Sequence, residues 1–179
     1  MKLLTTVTLI MLISSVWGKS IAAEFADGPV IFGYGKHTPV QQDIMLVKET
    51  LLKVVFDVEK AGEDGAVNRS FDKVARFLNM HVANGIPAKN IHLAIVVRGG
   101  ASNDMLNNKV YLAKYGKKNP NIELISTLLK NNVQIIECGQ SAVYHHKANQ
   151  DMIEGVDMAL SAMTAHAMLA AQGYSQNPF

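Results

Sequence analysis

The amino-acid sequence predicts a single three-layer α/β/α domain built on a mostly parallel sheet. Runs of β-branched and aliphatic residues alternate along the chain with stretches of helical periodicity, the pattern of successive right-handed βαβ crossovers. The clearest run, Ile91 to Val97, is nearly continuous in apolar residues, which suits a strand covered on both faces. Glycine and asparagine punctuate these segments, and no long low-complexity linker separates them.

Residues 1–23 carry the three-part layout of a cleaved secretory signal peptide. Met1-Lys2 is a short positive start, Leu3 to Val16 is apolar apart from threonines and serines, and Ser20, Ala22 and Ala23 offer small residues for cleavage. The stretch is short for a membrane span, so the expectation is an exported, periplasmic protein with no membrane segment after cleavage. Residues 24–179 then form the domain. Its first part, 24–49, reads as an irregular arm, because Gly28-Pro29, Gly33, Gly35 and Pro39 break regular structure. Two roles for 24–42 stay open: a free arm, or one that embraces a neighbour and lines a site from outside with Gly33-Tyr34-Gly35-Lys36-His37.

Thr50 to Glu59 is the first strand, rich in Leu52, Val54, Val55, Phe56 and Val58, and Ala61 to Gly65 closes it as a turn. Asn68 to Met80 is a helix, since Phe71, Val74, Ala75 and Leu78 form one stripe; Asn84-Gly85 and Pro87 end it. The strand Ile91–Val97 leads into Arg98-Gly99-Gly100. Residues 103–119 resolve only into a short helix plus loop. A helix from Asn119-Pro120 with Ile122, Ile125 and Leu129 on one face stops at Asn131-Asn132, and Val133 to Glu137 is the third strand, ending at Cys138. A helical or loop stretch runs through Gln150, residues 156–162 read as a fourth strand, and Thr164 to Gln172 reads as the last helix. Strand order is not legible.

Charge excludes one class of function. The chain has 17 Lys+Arg and 15 Asp+Glu, and loss of residues 1–23 removes Lys2 and Lys19 but no acid. The mature chain is formally neutral, without the basic face that nucleic-acid binding needs. The densest basic cluster, Lys114, Lys117 and Lys118, reads as a solvated loop.

Cys138 is the only cysteine. It cannot staple the fold, so it is buried and inert, reactive, or paired between chains. Its place at the carboxyl end of a strand, where open α/β sheets keep their ligand sites, makes it the first candidate nucleophile. Gly139 permits a tight turn whose amides point at the sulfur, and a helix starting near Gln140-Ser141 adds its positive end, a setting that lowers a thiol pKa. Gly99-Gly100 matches neither the dinucleotide nor the Walker pattern. Arg98 beside it is suited to stabilise an anionic sulfur species. His145 and His146 adjoin, but no Cys/His pair has zinc-site spacing, and no metal is expected.

Four segments together resemble the DsrE/DsrF-like sulfur-relay family, in its exported branch: Lys53 to Asp57, Ile91 to Gly99, Val133 to Ser141 with its Cys-Gly-Gln-Ser element, and Ala171-Gln172-Gly173-Tyr174. The resemblance covers most of residues 50–176. It implies a flavodoxin-like fold, assembly into oligomers, and a sulfurtransferase-like carrier in which Cys138 takes sulfane sulfur as a persulfide from a donor and passes it to an acceptor thiol. Gly139, Gln140 and Ser141 would then bind the terminal sulfur and Arg98 would offset its charge, without a bound cofactor. A non-enzymatic oligomeric protein that binds a small sulfur compound or metal, with Cys138 structural, is the alternative; a thiol redox sensor is a third reading.

Overall fold

The computed structural model describes residues 24–178; the expected signal peptide lies outside them. Five strands, β1 (Leu52–Val58), β2 (Ile91–Val97), β3 (Gln134–Cys138), β4 (Asp157–Ala159) and β5 (Ser175–Asn177), form one sheet in the order β4-β3-β2-β1-β5. Every pairing in it is parallel. The helices are α1 (Arg69–Ala83), α2 (Asn108–Tyr115), α3 (Ile122–Lys130), α4 (Gly139–Tyr144) and α5 (Ala162–Ala171), with a 3-10 turn at Gly99–Asn103. This is the three-layer arrangement that the alternating pattern implies. No helix among the described residues is long and apolar enough to cross a membrane.

Strand alternation decides which layer each side chain enters. Val54, Phe56 and Val58 of β1, with Leu93, Ile95 and Val97 of β2 and Ile135 of β3, meet Phe71, Val74 and Leu78 of α1 and Leu124, Ile125 and Leu128 of α3. The opposite face of the same strands presents Val55, Ala94, Val96 and Cys138, covered by Ala162, Ala165 and Leu169 of α5. Cys138 therefore sits at the strand end and against α5.

Several boundaries differ from expectation for local reasons. Asn68 is the cap of α1 rather than its first residue: its side chain accepts from the Ser70 amide, and the helix runs on to Ala83. The fourth strand is only Asp157–Ala159, because Ser161 caps α5 by accepting from the Thr164 amide and so starts the helix two residues earlier than its apolar pattern suggests. Val133 lies just outside β3, which extends to include Cys138. Ser175–Asn177 escaped notice as a strand because it is polar, an edge that pairs with β1 through its backbone.

Residues 24–42 contain no helix or strand beyond the isolated Ala26–His37 bridge, and the stretch 30–35 is not free. Asn79 of α1, fully buried, accepts from the amides of Val30 and Ile31 and donates to the carbonyls of Ile31 and Tyr34. Gly35, at φ +60°, passes so close to α1 that a Cβ there would stand 2.2 Å from the Arg76 amide nitrogen. The stretch thus lies on the α1 layer, across the sheet from α5, and Gly33 to His37 do not line the cavity at Cys138.

Candidate functional site

A shallow cavity of about 240 Å³ opens at the carboxyl end of β3, lined by Arg98, Gly99, Cys138, Gln140, Ser141, Ser161, Ala162 and Met163. It gathers all the residues that the sequence nominated except Gly139, which lies beneath it. A larger apolar groove of about 460 Å³ runs between α5 and the β3–β4 edge, but its only titratable lining residue is Asp157.

Cys138 ends β3 and caps α4, so its sulfur faces the first amides of that helix. The residue is only 5% exposed, at the floor of the cavity. Burial pushes the thiol pKa up, but the polarity of the Ser141 hydroxyl and of the Ser141, Ala162 and Gln140 amides around the sulfur brings it below the ordinary thiol value. A thiol that is buried yet acidified has the makings of a nucleophile. Ser141 can serve in this way because its oxygen accepts from the Gly99 amide at 3.0 Å, leaving the hydroxyl proton for the sulfur.

Gly139 and Gln140 act on the segment that closes the site. A Cβ on Gly139 would stand 2.6 Å from the Ala159 carbonyl oxygen and 3.2 Å from that of Leu160, so the β4–α5 connection lies directly on it. The Gln140 side chain donates to the Leu160 carbonyl at 3.3 Å. Together they hold the chain that delivers the Ala162 amide.

Arg98 is differently employed from what its position alone suggests. Its guanidinium binds Asp57 (Nε to both carboxylate oxygens at 3.1 Å, Nη2 to Oδ2 at 2.9 Å) and Glu59 (Nη1 to Oε1 at 3.0 Å). Bonding to Asp57 raises the Arg98 pKa further, and two carboxylates already answer its charge. Arg98 lines the cavity, yet little unbalanced charge is left for an anion there.

On the opposite face of β3, Glu137 is 0% exposed. The Ser102 hydroxyl donates to it, yet burial outweighs this bond and the attraction of Lys147, and pushes the carboxyl pKa up to about 7. Lys147, 8% exposed, is pulled down to about 8 by burial, against the attraction of Glu137. Neither Glu137 Oε2 nor Lys147 Nζ has a hydrogen-bond partner among the described residues. The His145 ring bonds the Gly99 carbonyl, and burial lowers its pKa. Among the described residues no three His, Cys, Asp or Glu side chains cluster as a metal site would require.

Sequence reasoning missed Ser161, Ala162 and Met163 in the cavity, Asp57, Glu59 and His166 beside it, and Glu137 with Lys147 beneath it. No spacing signals them, because the sheet brings β1, β3 and α5 together from distant parts of the chain. A test follows from the Ser141 geometry. Ser141→Ala removes the hydroxyl donor, so the thiol pKa is expected to rise and alkylation of Cys138 at pH 7 to slow by about threefold to tenfold. The pH profile of iodoacetamide labelling reads this directly; an unshifted profile would show that Ser141 contributes nothing to the thiolate.

A family model described as the DsrE/DsrF-like family matches residues 53–176. Among solved structures, the protein of unknown function MTH1491 from Methanobacterium thermoautotrophicum is similar at a TM-score of 0.53 with 17% identity, over 70% of this chain and 97% of that one. The ychN protein from E. coli is similar at a TM-score of 0.50 with 15% identity, again over 70% and 97%. At such identities the likeness is one of fold. No curated protein matches.

Proposed function

Because the chain belongs to the DsrE/DsrF-like family, we propose that it is a sulfur carrier that holds sulfane sulfur as a persulfide on Cys138 and passes it to a partner thiol. The observation that carries this reading is the placement of Cys138 at the floor of an open cavity, at the end of β3 and the start of α4, with the Ser141 hydroxyl held by the Gly99 amide. The Cys138 thiolate attacks the outer sulfur of a persulfide donor. A new S–S bond forms, the donor's S–S bond breaks, and its electron pair leaves on the donor's own sulfur as a thiolate. In the second half, an acceptor thiolate attacks the terminal sulfur and the electron pair returns to Cys138. Neither half needs an outside oxidant, reductant or cofactor.

The donors that stabilise the thiolate suit the resting and the departing forms of Cys138, which carry the same charge on the same atom. Arg98 and Gly99 shape the cavity wall, and Gln140 and Ser141 supply polar groups at its floor. The exposed Leu160, Met163 and Met168 around α5 offer an apolar surface to a partner or to a second copy of the chain, and self-association belongs to the same proposal. So does a periplasmic location, which rests on the leader-like composition of residues 1–23.

Intact mass after exposure to a small-molecule persulfide donor tests the reading. Wild-type protein is expected to gain whole sulfur atoms that dithiothreitol removes, and Cys138→Ser to gain none. A folded wild-type protein without any adduct would overturn the carrier reading and leave a ligand-binding protein with a structural cysteine.

A further inference from the structure

We propose that Asp57 is a positioning residue for the Cys138 thiolate, because its carboxylate holds both of the neighbouring segments whose donors reach the sulfur. The inference rests on the reading of Cys138 as the working thiolate. Asp57 lies on β1 and shares the α5-facing side of the sheet with Cys138, two strands away.

One arm runs through Arg98. Asp57 takes Arg98 Nε on both oxygens at 3.1 Å, and the next residue along the chain is Gly99, whose amide holds the Ser141 oxygen. That bond leaves the Ser141 proton directed at the sulfur. The other arm runs through His166, whose Nε2 donates to Asp57 Oδ1 at 3.0 Å. His166 lies one turn along α5 from Ala162, which lines the cavity with Cys138 and whose amide helps to acidify the sulfur. α5 otherwise meets the sheet through the apolar contacts of Ala162, Ala165 and Leu169, which have no preferred direction. A directional bond from His166 to the sheet fixes where its first amides stand. Burial opposes ionisation of Asp57, but the bonds from Arg98 and His166 outweigh it and keep the carboxylate charged; Glu59 is the remaining charged group at the cluster.

The sign of the effect separates positioning from simple charge. A carboxylate near a thiolate repels it, so loss of the Asp57 charge, and the freeing of Arg98, would by Coulomb's law lower the thiol pKa. Loss of positioning would raise it by withdrawing the Ser141 and Ala162 donors. For Asp57→Asn in the mature chain, the alkylation profile of Cys138 is expected to move to higher pH, with labelling at pH 7 slower by about threefold to tenfold. His166→Ala should shift it the same way, and His166→Gln, which restores an amide donor at the Nε2 position, should return it toward wild type. A profile unmoved or moved to lower pH in folded Asp57→Asn overturns the proposal; should that variant not fold, the His166 pair decides in its place. Labelling reads the thiolate and not sulfur transfer, so failure of the carrier reading, seen as the absence of a sulfur adduct on wild type, is distinguishable from failure of this one.

Discussion

Lys147→Ala is expected to cost about 2 kcal/mol of stability at pH 8, because it empties the space of a buried four-carbon stem and removes a charge that attracts the buried Glu137 carboxylate, although no ion pair joins the two. Glu137 and Asp104 are both buried, and both attract the Lys147 ammonium. Without it, Glu137 must stay charged in a dry site or take up a proton. Its folded pKa of about 7 already stands above the ordinary carboxyl value of 4.5. Stability tied to this group is therefore full below about pH 4.5 and lost as the pH rises through 7. The Lys147→Ala deficit should follow, smaller at pH 5, where Glu137 is protonated and has no charge to satisfy, and larger at pH 8.

The double variant Glu137→Gln, Lys147→Met removes both charges, keeps an acceptor for the Ser102 hydroxyl and fills a similar volume, so it is expected to recover most of the loss. Asp104 keeps its bonds from the Asn68 side chain and the Gly62 amide. Urea unfolding of the three proteins at pH 5 and pH 8 checks this. A double variant no more stable than Lys147→Ala would show that the two side chains are not energetically coupled.

Gly139→Ala is expected to cost about 1–3 kcal/mol by overpacking and to slow sulfur loading. The obstructing atoms are the carbonyl oxygens of Ala159 and Leu160, main-chain atoms with no rotamer to change. The β4–α5 connection has to lift, and it carries the Ala162 amide away from the sulfur. Gly100→Ala is the control, because the nearest atom to its new Cβ is at 3.5 Å, an ordinary contact. Thermal melts and the Cys138 labelling rate, measured side by side, should show loss of both in Gly139→Ala and of neither in Gly100→Ala. Equal behaviour of the two variants would mean that the close approach at Gly139 has no bearing on the thiol.

What the sequence made legible is what local chemistry determines. β2 was readable to the residue because a strand buried on both faces needs a nearly continuous apolar run, and Ile91–Val97, interrupted only by the exposed His92, provides one. Cys138 was readable as a strand-end thiol because the apolar run stops there and glycine follows. α4 stayed ambiguous between helix and loop, since six residues hold too few turns to display a period. β5 was invisible because its partner strand, not its side chains, makes it a strand. Arg98 was legible as a neighbour of the thiol, but the carboxylates that engage it, Asp57 on β1 and Glu59 just beyond its end, lie some forty residues away in the chain. The same holds for Ala162, which reaches the sulfur only through the return of the chain along β4 and α5.

The strand order carries a consequence for how the chain acquires its reactivity. β1 through β4 add successively on one side, each pairing with the strand made just before it, so this half of the sheet closes only moderate loops. β5 instead returns to the free side of β1, joining Val54 with Ser175 across almost the whole domain, the kind of distant contact that forms late. α5, with His166 and the Ala162 amide, immediately precedes that strand. Cys138 and the Gln140 and Ser141 groups beside it thus come from one short stretch of chain, and the Ala162 amide reaches them only once α5 has docked. Docking of the C-terminal part completes the surroundings of the sulfur rather than creating them.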